Sequence, residues 1–323
     1  MKVGIVGAGN VGVACLFAMA LRGSAREVVL VNRNRAKARG AVTDLQYGIA
    51  LGPGVSVRDG DYADLQGAAV VAITAGTNEK KGGATRRDDP EGRLRLLGSN
   101  AAIYRDIVPR IAQAAPGAIL LVVTDPPDAL ADVARGLCKG NGVLSTGTFL
   151  DSLRLRFHLG AKLGVDPRSV DAMVLGEHGT SQVYAWSSAR VAGTPVIPNL
   201  LPKGQDAASF REEIEEAVRF ANINIIEGTG ASQLGIGVVT ARIVEAIVRD
   251  ERIVIPLGSY HRKYGVTLSL PSRLGRDGVS QVLESQLSDE EWSGIEASAQ
   301  AIRRSLEPKP GTPKPGTQSD CEE

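Results

Sequence analysis

Short apolar runs alternate with stretches of helical periodicity along the first half of the chain. The pattern predicts strands over 2–6, 27–32, 55–58, 69–75 and 118–124, and helices over 11–22, 34–49 and 99–115. Apolar strands that alternate with helices form a parallel sheet covered on both faces. We therefore predict an α/β fold whose first domain, residues 1–145, is a doubly wound parallel sheet.

The second half of the chain has a different pattern, with longer helices and short strands grouped apart from them. It predicts helices over 151–163, 210–227 and 238–249, and strand-rich stretches over 171–176, 182–191, 253–257 and 265–270. A last helix begins at Ser288, where Glu291 completes a capping box. We expect an α+β catalytic domain over 146–306. Residues 307–323 are rich in proline, glycine and charge, and we expect a disordered tail.

Composition narrows the possible partners. The 323 residues include 37 basic and 36 acidic side chains, and there is no basic stripe, so nucleic-acid binding is not expected. No apolar run approaches the roughly 20 residues of a membrane span. The cysteines Cys15, Cys138 and Cys321 are far apart, which indicates a reducing compartment. We predict a cytoplasmic protein without a membrane anchor or a metal site.

A glycine-rich turn follows the first strand. It reads Gly7-Ala8-Gly9-Asn10-Val11-Gly12 and opens the first helix. Glycines at this spacing permit a tight turn, close approach of the backbone to a pyrophosphate and close packing of helix on strand. Because the turn lies inside a strand–helix–strand unit, we predict a Rossmann dinucleotide site made by Gly7, Gly9, Asn10, Val11 and Gly12.

The end of the second strand bears on the choice of cofactor. An acidic residue that binds the ribose 2′-hydroxyl is expected there, but the sequence has Asn32 followed by Arg33. We expect NAD, while NADP is possible because Asn32 lacks the charge that repels a 2′-phosphate and Arg33 could bind that phosphate. Three further cofactor contacts are expected at the end of the strand over 69–75, from Thr74, Ala75 and Gly76.

A histidine in a glycine-flanked turn is the main candidate for chemistry. His178 lies in Gly176-Glu177-His178-Gly179, and a separate helix carries Asp151 and Arg154 on one face. An aspartate can fix the tautomer of a histidine, and an arginine can bind a carboxylate with two hydrogen bonds. These are the groups that a 2-oxo acid needs for reduction.

Taken together, these motifs show that the chain resembles the lactate/malate dehydrogenase family over residues 1–306. The resemblance rests on GAGNVG, LDSLRLR, GEHG and SLPSRLGRDGV, which occur in that order. It implies an NAD-dependent L-2-hydroxyacid dehydrogenase of the lactate type that assembles as a homodimer or homotetramer. His178 would be the general acid and base, Asp151 its orienting partner and Arg154 the ligand of the substrate carboxylate.

The family also uses an arginine on a mobile loop to polarise the substrate carbonyl. The loop here is longer than the family pattern, and two alignments compete, one giving Arg93 and the other Arg86. We prefer Arg93, because a helix register running into Asn100 tolerates insertion less well than a loop. The residue that distinguishes lactate from malate lies six positions earlier, at Arg87 or at Lys80. Either cation would favour a second substrate carboxylate.

Two positions depart from the family pattern at the expected substrate site. Asp125 stands where the family has an asparagine, and an ionised aspartate would repel a carboxylate substrate. Gly230 stands where the family often has a threonine, and the loss of that side chain would enlarge the pocket. A malate dehydrogenase and a dehydrogenase of a bulkier 2-oxo acid are therefore alternatives. A dinucleotide-binding protein with altered catalysis is an alternative of another class.

Overall fold

A nine-stranded sheet organises the fold, in a computed structural model that describes residues 1–82, 85–89 and 92–307. Its strands, in chain order, are β1 (Lys2–Val6), β2 (Glu27–Val31), β3 (Ser56–Gly60), β4 (Ala68–Ile73), β5 (Ile119–Val122) and β6 (Val143–Ser145), with β12 (Ile253–His261), β13 (Val266–Gly275) and β14 (Gly278–Val282). Five two-residue strands form smaller ladders: β7 (Val170–Asp171), β8 (Val174–Leu175), β9 (Val183–Tyr184), β10 (Arg190–Val191) and β11 (Thr194–Pro195).

Helices of two or more turns flank these strands, together with one short helix in the long loop. They are α1 (Asn10–Arg22), α2 (Arg35–Ile49), α3 (Glu79–Gly82), α4 (Leu97–Ala114), α5 (Pro127–Leu137), α6 (Phe149–Leu163), α7 (Ala207–Arg219), α8 (Ala221–Thr229), α9 (Leu234–Val248) and α10 (Asp289–Leu306).

The first six strands are parallel and confirm the doubly wound sheet. They follow the order β3-β2-β1-β4-β5-β6, so the chain reverses its direction of progress across the sheet between β1 and β4. Val6 pairs with Val31 on one side and with Ile73 on the other. The carboxyl ends of three strands therefore meet at one edge, which is where ligands bind in open sheets of this kind.

The longest strands of the second half extend the sheet of the first. β12 and β13 pair antiparallel, and β12 joins β6 through Gly258 and Ser145. A side chain at Gly258 would come within 1.8 Å of the Ser145 hydroxyl, so glycine allows the close approach of the two strands. One sheet thus continues through both halves of the chain, and the domain boundary at residue 145 stays a prediction.

Most local predictions in the second half are confirmed, with one exception. The helix predicted over 210–227 is two helices, α7 and α8, which are separated at Phe220. The capping box of Ser288 and Glu291 is present at the start of α10. The predicted disordered tail lies outside the described residues beyond Glu307. The sequence pattern did not predict α5, which follows the proline-rich turn after β5.

Packed apolar side chains cover both faces of the sheet. One cluster joins it to α1 and α9 through Met19 and Ile243, and another joins it to α4 and α5 through Tyr104 and Leu130. Among the described residues no single helix is long and apolar enough to cross a membrane, although α8 and α9, bent by 120°, reach that length and composition as a pair.

Candidate active site

The glycine-rich turn after β1 is shaped by backbone constraints. Gly7 has a φ of 119°, a conformation that favours glycine. A side chain on Gly12 would come within 1.9 Å of the Gly7 carbonyl oxygen, which also accepts the Thr74 hydroxyl at 2.9 Å. No side chain among the described residues caps the start of α1. Its first N–H groups remain available to a phosphate.

Asn32 supports this turn directly. Its side-chain oxygen accepts the Ala8 N–H at 3.0 Å, and its amide donates to the Asn34 carbonyl at 2.9 Å. Arg33 and Lys37 line the neighbouring cleft. The residues around the turn therefore fit a dinucleotide, with an uncharged amide at the ribose position and two cations beside it.

A cleft of about 610 Å³ connects the nucleotide turn to the predicted catalytic residues. Gly9 and Gly76 line one end, while His178 and Arg154 line the other. A side chain on Gly76 would come within 2.3 Å of the Thr124 methyl group, and the Thr124 hydroxyl donates to the carbonyl of Ala75 at 3.0 Å. The end of β4 is thus fixed closely against the wall of the cleft.

His178, Asp151 and Arg154 lie together, as the sequence predicts. Nδ1 of His178 is hydrogen-bonded to one carboxylate oxygen of Asp151. The other oxygen accepts from the Arg154 guanidinium at 3.0 Å. Asp151 is 2% exposed and His178 11%. Because Nδ1 is held by the aspartate, Nε2 is the ring nitrogen left for a substrate in the cleft.

Asp151 is charged in this arrangement. Burial alone would raise its pKa, but the neighbouring His178, Arg154 and Arg93 outweigh that effect and hold the pKa of Asp151 below its usual range. An ionised carboxylate behind the imidazole fixes its tautomer and stabilises the imidazolium that forms when Nε2 accepts a proton.

A second buried aspartate holds the histidine turn from behind. The Asp128 carboxylate, at the start of α5, accepts the backbone N–H of His178 at 2.7 Å and the Ser145 hydroxyl at 2.5 Å. Burial raises the pKa of Asp128 to about 7, although both hydrogen bonds act to lower it. Asp128 is therefore a positioning residue for His178.

The long loop brings a second guanidinium into the cleft. Arg93 is 11% exposed, and its Nε lies 3.4 Å from a carboxylate oxygen of Glu79 and 3.5 Å from one of Asp125. Asp125 also lies 3.7 Å from Nε2 of His178. Two acidic side chains, those of Glu79 and Asp125, thus converge on the same arginine.

The other loop cations lie elsewhere. Arg86 is exposed and pairs with Asp88, so the structure favours Arg93 as the loop arginine of the cleft. Arg87 does not reach the cleft and the prediction for it is wrong: it donates to Asn224 and stacks over the Phe220 ring. A hydrogen bond to Asn224 on α8 and the contact with the Phe220 ring just before that helix hold Arg87 at the surface.

Gly230 does line the cleft, but its backbone explains the glycine. It ends α8 with a φ of 79°, and its N–H donates to the carbonyl of Ile226. A glycine in this conformation closes a helix without strain. Ser232, two residues later, lines the same cleft and was not predicted from the sequence.

Sequence reasoning also missed Glu79 and its hydrogen-bond donor Asn222. A signal for Glu79 was available, since it follows the end of β4 closely and the carboxyl ends of parallel strands line the ligand site. No local signal marks Asn222, because it lies on α8, 143 residues away in sequence.

A glycine-rich dinucleotide turn and a histidine backed by an ionised aspartate share one cleft, and the guanidiniums of Arg93 and Arg154 are among those that line it. This combination defines a dinucleotide-dependent oxidoreductase of small acids.

Comparison with known proteins gives the family. Residues 1–142 match the model described as lactate/malate dehydrogenase, NAD binding domain, and residues 148–310 match the alpha/beta C-terminal domain of the same family. The L-lactate dehydrogenase of Chloroherpeton thalassium is 43% identical over 95% of this chain and 99% of its own. That of Deinococcus radiodurans is 43% identical over 94% of this chain and 97% of its own.

Solved structures support the same family assignment. The ligand-bound minor L-lactate dehydrogenase of Enterococcus mundtii superposes with a TM-score of 0.86 at 34% identity, over 94% of this chain and 97% of the other. The chain belongs to the lactate/malate dehydrogenase family. It is an NAD-dependent 2-hydroxyacid dehydrogenase of the lactate type, with a small 2-hydroxy or 2-oxo acid as substrate.

Proposed function

We propose that His178 is the proton acceptor and donor of this dehydrogenase. The observation that carries the proposal is the contact of Nδ1 with the ionised Asp151, inside the cleft that begins at the glycine-rich turn. In the oxidative direction Nε2 takes the proton of the substrate hydroxyl as the C2–H bond breaks. The hydroxyl carbon loses two electrons with that hydrogen, and C2 becomes the carbonyl carbon.

Two arginines orient the substrate in this proposal. Arg154, anchored on Asp151 at 3.0 Å, binds the substrate carboxylate with its remaining N–H groups. Arg93 donates to the substrate oxygen as negative charge develops on it. Together they set C2 of the acid opposite Nε2 of His178.

The nicotinamide cofactor would be held by the turn over Gly7–Gly12 and by Asn32, and the cleft walls at Thr74–Gly76 would contact its other half. Bound there, NAD would supply the acceptor for the hydride that leaves C2 of the hydroxy acid. Ile226, Ile236 and Leu150 give the same cleft an apolar lining, which would limit access of water to the reacting atoms.

The proposal is tested by following NADH oxidation with pyruvate, oxaloacetate, 2-oxoisocaproate and phenylpyruvate. We expect turnover with at least one of them, because the hydride and proton transfers need only the 2-oxo acid core. Absence of turnover with all four, in protein that binds NADH, would contradict a dehydrogenase function and favour the binding-protein alternative.

Asn32→Asp should raise the ratio of NADH to NADPH turnover by about tenfold. A carboxylate in the place of the amide would accept a ribose hydroxyl and repel a 2′-phosphate beside Arg33 and Lys37. The ratio of kcat/KM values for the two cofactors measures this. Arg39→Gln, an exposed change on α2, is the control, and an unmoved ratio in Asn32→Asp would remove Asn32 from cofactor discrimination.

Assembly into a homodimer or homotetramer stays a prediction of the family resemblance. It is supported by exposed apolar side chains on two helices that contact each other, Phe17 and Leu21 on α1 and Leu234 and Val238 on α9. Sedimentation equilibrium of the full chain would detect the oligomer, and a monomer at micromolar concentration would contradict it.

A further inference from the structure

The substrate end of the cleft carries an unusual balance of charge. Its described side chains include three carboxylates, on Glu79, Asp125 and Asp151, and two guanidiniums, on Arg93 and Arg154. Asp151 is occupied by His178 and Arg154. The remaining two carboxylates share Arg93. A monoanionic acid such as lactate adds another negative charge to this end.

Glu79 is a largely buried acid that shares its arginine partner, Arg93, with Asp125. Its side chain is 13% exposed, so water screens it little. Burial raises the pKa of Glu79, and the negative charge of Asp125 raises it further, against the opposite effects of Arg93 and of the Asn222 amide that donates at 3.0 Å. The largely buried Glu79 carboxylate thus shares its Arg93 partner with Asp125. Lys80, next in the chain, also lines the cleft but is exposed.

Resting on the dehydrogenase function proposed above, we propose that Glu79 recognises a positively charged group on the substrate side chain. The substrate is then a 2-hydroxy or 2-oxo acid whose side chain ends in an alkylammonium or guanidinium group. Its carboxylate binds Arg154 and its cation binds Glu79.

The order of contacts supports this placement. Nε2 of His178 lies 3.7 Å from Asp125, Asp125 lies 3.5 Å from Arg93, and Arg93 lies 3.4 Å from Glu79. Glu79 is therefore linked to Nε2 of His178 through two intervening side chains, those of Asp125 and Arg93. In this proposal a substrate side chain with several methylene groups reaches Glu79, and Ile226 and Ile236 supply an apolar wall in the same cleft.

A cationic substrate would also release Arg93 for catalysis. In the free protein both Glu79 and Asp125 draw the Arg93 guanidinium. When a substrate cation pairs with Glu79, one of these two partners is satisfied, and Arg93 can turn its N–H groups to the substrate oxygen. Recognition of the side chain is thereby coupled to polarisation of the reacting group.

Three L-2-hydroxy acids of equal chain length test the proposal: 6-amino-2-hydroxyhexanoate, 2-hydroxyhexanoate and 2-hydroxyadipate, with L-lactate as reference. NADH formation gives kcat/KM, and calorimetry with the NADH-bound protein gives binding without turnover. We expect the aminated acid to exceed the neutral one by at least about tenfold in both measurements, and the diacid to be the poorest.

Glu79→Gln keeps the shape and the Asn222 contact while removing the charge. We expect it to abolish the preference for the aminated acid and to raise kcat/KM for 2-hydroxyhexanoate, because Arg93 loses a competing partner. Glu216→Gln, on the exposed face of α7, should leave the preference intact.

Other results would overturn the inference. Equal or better use of the neutral acid by the wild type would show that Glu79 does not select a cation, and an equal loss on all acids in Glu79→Gln would show a structural role. Both results leave the dehydrogenase function standing. Failure of that function has its own signature, which is no NADH from any of the four acids.

Discussion

His178→Asn is expected to lower kcat by about a thousandfold, the largest effect among the predictions. Asparagine can still form a hydrogen bond near Asp151, but it cannot accept the hydroxyl proton at neutral pH. The proton would then have to leave to water, from a cleft whose histidine is only 11% exposed. Steady-state turnover with the best 2-oxo acid, together with NADH binding by fluorescence, measures the effect.

A matched control is available on α6. His158→Asn makes the same substitution at a partly buried histidine that contacts the Phe157 ring and does not line the cleft. It should retain wild-type kcat. If His178→Asn binds NADH normally and also turns over at the wild-type rate, His178 has no part in proton transfer and another group must supply it.

The parts of this molecule that sequence predicted best are those fixed by local geometry. Gly7 and Gly12 are required by a positive φ and by a contact of 1.9 Å, so their spacing alone identifies the turn. The pairing of Asp151 with Arg154 follows from helical spacing. His178 lies 27 residues from Asp151, so local spacing does not predict their contact. The family resemblance is what places His178 in the same site.

The parts that sequence predicted poorly depend on contacts made across the fold. Counting back from Arg93 assigns Arg87 to the substrate, but a loop of unusual length does not preserve such a count. The Arg87 side chain instead contacts Asn224 on α8 and Phe220 just before that helix. Glu79 belongs to the site because α8 places Asn222 against it. The continuation of the sheet into β12 likewise depends on a close approach of two strands at Gly258 that no local pattern shows.

Arg154→Gln is expected to lower kcat/KM by about a hundredfold to a thousandfold. Removing one partner of a buried, hydrogen-bonded charge pair costs about 2–5 kcal/mol, and here both the substrate carboxylate and Asp151 lose Arg154 as a partner. Because the carboxylate contact exists both before and during the reaction, most of the loss should appear as a higher KM. Arg154→Lys keeps the charge without the paired N–H groups and should fall between Gln and the wild type.

Arg156 provides a control for the Arg154 substitution. Arg156 lies on the same helix, but it donates to the Ala172 carbonyl and faces Asp171 outside the cleft. Arg156→Gln should therefore change the melting temperature more than KM, whereas Arg154→Gln should do the reverse. A KM that is unchanged in folded Arg154→Gln would mean that the carboxylate binds elsewhere. Arg93, which also lines the cleft and pairs with Glu79 and Asp125, would then be the next candidate for binding the carboxylate.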